Sequence, residues 1–168
     1  MRNFNIRLLG LVLLQIACIA GVVLLLRTQM AGQRISDADF ETVSAKISEA
    51  AEQSADRKLM QPGDNQMIRR LYGLDPEAYD GMLLYYPATN MAAQELLLVR
   101  LTDLSQQETV VEAMEQRAQS QRSSFEGYAP EQYSLVENHV LDVQGNYLLY
   151  VTGTEAESIK AVFEESLR

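Results

Sequence analysis

Catalysis and metal binding need particular side chains within reach of one another, and here the scarce ones are quickly placed. His139 is the only histidine and Cys18 the only cysteine. A nucleophile activated by an imidazole would depend on His139 alone. That residue opens the apolar run HVLDV, where a position in the core or at its rim accounts for it. There is no Gly-x-Ser-x-Gly elbow, no glycine-rich phosphate loop and no Cys/His pair at zinc spacing. Carboxylates are abundant, but Asp37, Asp39, Glu164 and Glu165 read as helix caps and solvated faces. Asp75-Pro-Glu-Ala-Tyr-Asp80-Gly81 carries only part of the alternating oxygen pattern of a calcium loop and reads as a turn. An enzyme built on two carboxylates would need both acids in one cleft with separated pKa values. No catalytic set, metal site or cofactor site follows from these residues.

Two groups of side chains are better suited to contact than to catalysis. FEGYAPEQY, residues 125–133, sets Phe125, Tyr128 and Tyr133 around Gly127 and Pro130. These rings either close one end of a core or offer an aromatic surface to a ligand or partner. The second group is Tyr85, Arg100, Asp142 and Tyr150, which edge strand-like runs that are apolar on both faces.

The elements that position these groups follow from periodicity. Phe40, Val43, Ile47, Ala50 and Ala51 form a helical stripe, which predicts a helix over 37–59 broken by Pro62-Gly63. Asp64 is suited to cap a short helix that ends at Gly73. Met82–Tyr86 and Glu95–Leu101 predict a hairpin. Ser105-x-x-Glu108 predicts a capping box and a helix to about Ser123. Pro130 suggests one helical turn. His139–Val143 and Tyr147–Val151 predict a second hairpin around Gly145-Asn146. Thr154-x-x-Glu157 suggests another capping box before a last helix bearing Ile159, Val162, Phe163 and Leu167. The expected fold class is α+β: a four-stranded antiparallel sheet in ββα-ββα order, packed with helices. Alternation puts Leu97, Val99 and Leu101 on one face and Leu96, Leu98 and Arg100 on the other. The long helices should cover one face. The other must be covered, by the short helices near 64–72 and 130–136 or by a protein partner or second copy.

The chain has 168 residues, one cysteine and a formal charge of −9. Its first 34 residues hold four arginines and no acid, leaving 10 basic and 23 acidic residues, a formal −13, in residues 35–168. That balance excludes a nucleic-acid surface, which needs clustered cations. Leu8–Leu26 is a 19-residue uncharged run bracketed by Arg7 and Arg27. As a helix it would span roughly 28 Å, close to the ~30 Å hydrocarbon core. It is too long for a cleaved signal peptide and lacks a good small-x-small site. Cys18 lacks the surroundings of a lipoprotein cysteine. The expected organisation is a cytoplasmic tail, transmembrane helix and linker in residues 1–34, then an extracytoplasmic domain in 35–168. The protein would be a single-pass membrane protein.

Several segments together resemble a known family. They are the Leu71-Tyr72-Gly73 helix end, the apolar strand pair, FEGYAPEQY, HVLDVQGNYLLYV (139–151) and the TEAESIKAVFEESL helix. Over roughly residues 40–168 they resemble the domain-of-unknown-function family four-three-five-eight. The resemblance implies a small anchored envelope protein of clostridia-like Gram-positive bacteria, with no assigned activity and no catalytic residues to carry over. It also implies company with membrane-bound O-acyltransferases, and so an accessory role in modifying an envelope polymer. The leading expectation is a non-enzymatic protein that binds an envelope partner or itself. The alternative is a small-molecule or glycan-binding module.

Overall fold

The computed structural model describes residues 35–168. In chain order the elements are α1 (Phe40–Gln53), β1 (Met60–Pro62), α2 (Asn65–Tyr72), β2 (Gly81–Pro87), β3 (Glu95–Arg100), α3 (Gln107–Phe125), α4 (Pro130–Glu137), β4 (Val140–Gln144), β5 (Tyr147–Thr152) and α5 (Ala156–Ser166). Short 3₁₀ turns precede β1, β2 and α3. The strands form one antiparallel sheet in the order β1-β2-β3-β5-β4.

The α+β class and both hairpins stand, but the expected four-stranded sheet is corrected to five strands. The additional strand is β1, which pairs Met60 with Pro87 and Pro62 with Tyr85. Three residues ending in proline carry no period-two pattern. Proline, which has no N–H to donate, is tolerated at a sheet edge. Bonds distant in sequence make this strand. Gly63 N donates to Leu84 O at 2.8 Å, and Ala88 N donates to Leu59 O at 2.8 Å. For the same reason α1 stops at Gln53, short of the expected Leu59. Asp56 is drawn into the fold, where its Oδ2 accepts from Thr154 N at 2.6 Å and from Thr154 Oγ1 at 3.0 Å. The transmembrane helix expected at residues 8–26 lies outside the described residues. Among the described residues no helix is long and apolar enough to cross a membrane.

Strand alternation divides the interior into two cores. Leu97, Val99, Leu101, Leu148 and Tyr150 pack with α2, α3 and α4 through Ile68, Met114, Ala118 and Val136. Leu96, Leu98, Tyr147, Leu149 and Val151 pack with α1 and α5 through Val43, Ile47, Ile159 and Phe163. Helices therefore cover both sheet faces. The two short helices share the face of α3, while the paired terminal helices close the other.

Helix ends confirm some local signals and move others. Asp64 Oδ1 accepts from Met67 N at 2.9 Å, and Gly73 ends α2 with φ +68°, a conformation glycine adopts without cost. The capping box before α3 is formed by Asp103 and Gln106 instead of Ser105 and Glu108, because a 3₁₀ turn precedes the helix. Thr154 does not cap α5: the helix starts after Glu155 with no side-chain cap, and the Thr154 N–H and hydroxyl donate to Asp56. Pro130 opens a helix of eight residues, longer than the single turn expected.

Candidate functional site

Glu95 begins β3, on the face shared by Leu97 and Val99, and is fully buried. A buried carboxylate must be paired and hydrogen-bonded, and here helices on either side supply the partners. Arg117 of α3 forks onto it, with Nε at 3.0 Å from Oε1 and Nη2 at 2.6 Å from Oε2. Tyr72 of α2 donates its hydroxyl to Oε1 at 2.6 Å. Gln121, one helical turn beyond Arg117, donates Nε2 to Oε2 at 2.8 Å and accepts from the Tyr150 hydroxyl at 3.3 Å. The His139 ring lies 5.3 Å from that of Tyr150, and its Nδ1 is 2.8 Å from Val136 O. Burial, then the Glu95 charge, raises the Tyr72 pKa well above that of a free phenol, and the same causes raise that of Tyr150. Burial opposes the charge of Arg117, but Glu95 outweighs it and the guanidinium pKa is raised. Both tyrosines stay neutral and Arg117 stays charged at any ordinary pH. Neither tyrosine is poised for proton transfer, and the cluster acts as a clamp joining β3, β5, α2 and α3.

The clamp continues to the surface through Ala93, in the β2–β3 loop. Gln121 Nε2 donates to Ala93 O at 3.3 Å, and Thr152 Oγ1 donates to the same oxygen at 2.5 Å. Ala93 N donates to Gln132 Oε1 of α4 at 2.9 Å. The loop carrying Met91 is thereby tied to the first turn of α4 through Gln132, itself part of FEGYAPEQY.

That end of the sheet holds three of the four large hydrophobic side chains exposed among the described residues. The large hydrophobics exposed among the described residues are Ile35, Leu59, Met91 and Tyr128. Leu59 adjoins Ala88 at one end of the β2–β3 loop, Met91 sits within the loop, and Tyr128 lies in the α3–α4 turn. Met91 is 60% and Tyr128 57% exposed, unusual values for such side chains grouped at one end. Glu126, Gly127, Pro130 and Tyr133 line a concavity there. Ile35 belongs to the opposite end, where its neighbour Ser36 donates its N–H to Asn146 Oδ1 at 2.8 Å in the β4–β5 turn.

The structure distributes the sequence-derived candidates unevenly. Phe125, Tyr128 and Tyr133 come together at the α3–α4 turn: Phe125 is buried, Tyr133 half-buried, and the Phe125 and Tyr128 rings are 6.2 Å apart. Tyr85, Arg100 and Asp142 lie on the α1/α5 face and do not meet. Tyr85 pairs with Leu96, Arg100 with Tyr147, and Asp142 with Leu149. Arg100 sits over the Tyr147 ring at 5.7 Å and faces Asp80 at 3.8 Å. Tyr150 is on the other face, wholly buried. Glu95, Arg117, Gln121 and Met91 were not singled out by sequence reasoning. The one available signal was an acid leading an apolar strand whose same-face neighbours are leucine and valine.

A family model described as a domain of unknown function (DUF4358) matches residues 53–153. The matched span holds the whole sheet with α2, α3 and α4, and so both the clamp and the exposed end. No curated protein and no solved structure matches the chain.

Proposed function

We propose a function from the premise that the chain belongs to the DUF4358 family: it is a membrane-tethered accessory protein of the cell envelope that binds another protein through the Met91/Tyr128 end. The observation that carries this reading is the grouping of Leu59, Met91 and Tyr128, exposed, at one end of a sheet whose two faces are already covered. Aromatic and methionine side chains are enriched at protein interfaces. A surface held in place by buried hydrogen bonds also loses little further freedom on binding. The tether is the uncharged run of residues 8–26, and its support is the sequence alone. Ser36, near the start of the described residues, bonds to Asn146 at the end of the sheet opposite Met91 and Tyr128.

A photoreactive amino acid at position 128 or 91 of the full chain, in its own membrane, tests the reading. Discrete adducts are expected from both positions and not from position 165, exposed in the last turn of α5 at the other end. Equal labelling from all three, or none, would refute it.

A second reading, a small-molecule or glycan site, rests on the concavity lined by Glu126, Gly127, Pro130 and Tyr133. It predicts that a soluble envelope saccharide raises the melting temperature of wild type but not of Tyr133→Ala.

A further inference from the structure

We infer that the exposed end recognises a basic segment with an apolar anchor residue on the partner protein. This rests on the protein-binding reading above and specifies its chemistry. Glu126 and Glu131 flank Tyr128 in the α3–α4 turn and the first turn of α4, and both are exposed. Neither is in an ion pair among the described residues, although Arg122 and Glu137 nearby pair with each other. The neighbouring loop from Pro87 to Gln94 carries no charge, so nothing there offsets the two carboxylates. The surface is thus apolar at Met91 and Tyr128 and acidic beside Tyr128, within a unit of formal charge −13. Of the cations at this end, Arg122 pairs with Glu137 and Arg57 with Glu52, and Lys58 adjoins Leu59 on the far side of the Met91 loop. Such a field draws cationic segments in and repels anionic ones.

The same charges decide among other occupants. A second copy docking through this end would set Glu126 and Glu131 against their own kind. An anionic lipid surface would meet the same repulsion. A lysine- or arginine-bearing segment instead pairs with the two carboxylates. Its apolar side chain seats on Met91 and Tyr128, and an arginine can also stack on the Tyr128 ring.

The test uses the full chain in phosphatidylcholine nanodiscs and a fluorescent peptide of alternating lysine and leucine, read by anisotropy with empty discs subtracted. The lysine-leucine peptide is expected to bind, and its glutamate-leucine counterpart to fail. Glu126→Gln with Glu131→Gln should weaken binding about tenfold, since each lost ion pair is worth less than a factor of ten. Tyr128→Ser should weaken it by a similar factor. Glu41→Gln with Glu165→Gln, exposed at the opposite end of the sheet, should change it less than twofold. Equal losses from the two glutamine pairs would mean general attraction to an acidic protein and would overturn the inference. So would absence of binding, or binding of the glutamate-leucine peptide. If crosslinks at 91 and 128 persist while the Glu126/Glu131 variant binds as wild type does, the basic chemistry fails and the binding end survives. If the crosslinks are absent, both fail.

Discussion

Glu95 sets the largest single-residue prediction. Glu95→Leu leaves Arg117 charged and buried without its partner. It should cost about 3–5 kcal/mol, read as a lowered midpoint in urea unfolding. The paired change Glu95→Leu with Arg117→Met removes both charges and should recover much of that loss. A double variant no more stable than Glu95→Leu alone would show that the guanidinium contributes beyond its pairing. The tyrosines of the clamp add a pH dependence. Folding raises the pKa of Tyr72 and Tyr150, through burial first and the Glu95 charge next, so the native state keeps protons that the unfolded chain releases near pH 10.0. Their contribution is complete below about pH 10 and is lost as pH rises above it, by up to ~1.4 kcal/mol per pH unit for each tyrosine. Unfolding at pH 9, 10 and 11 should show this decline, and Tyr72→Phe should reduce its slope.

Among the elements, α1 and α5 bear on independence from the family span. Both lie largely or wholly outside residues 53–153, yet they bury Leu96, Leu98 and Leu149 on one face of the sheet. Ile47 is fully buried in that layer, and Ile47→Ala should lower stability by about 2–5 kcal/mol. Gly81 shows how closely α1 approaches the start of β2. A Cβ there would run into the Phe40 ring, so Gly81→Ala should cost about 1–3 kcal/mol through overpacking, measured in the same unfolding experiment. The clamp ties α2 and α3 to the sheet, and the Ala93–Gln132 bond carries that order to α4.

For the whole molecule, stability and contact should separate. Tyr128 is exposed and lies in a turn, so Tyr128→Ser should leave the unfolding midpoint within about 0.5 kcal/mol of wild type. The same change should abolish partner crosslinking from position 91. An unfolding loss comparable to that of Ile47→Ala would assign the ring to the core instead.

Local pattern was enough for what depends on neighbours in the chain. The α+β class, two hairpins, the two faces of β3, the stripe of α1 and the Asp64 and Gly73 helix ends all follow from periodicity and backbone preference, and each is present. The family was recognisable from segments such as FEGYAPEQY. Other features depended on partners far away in sequence. β1 exists because β2 offers an open edge to three residues with no strand pattern. The turn after α1 is held by one buried carboxylate, Asp56, about a hundred residues from its partner Thr154. Glu95 stands in the sequence only as the first residue of an apolar strand-like run. Only folding brings Tyr72, Arg117 and Gln121 around it, because desolvation makes a charge seek partners from any part of the chain. Tertiary packing likewise decided that both sheet faces are covered, which leaves FEGYAPEQY, of the two candidate contact surfaces, at an exposed end.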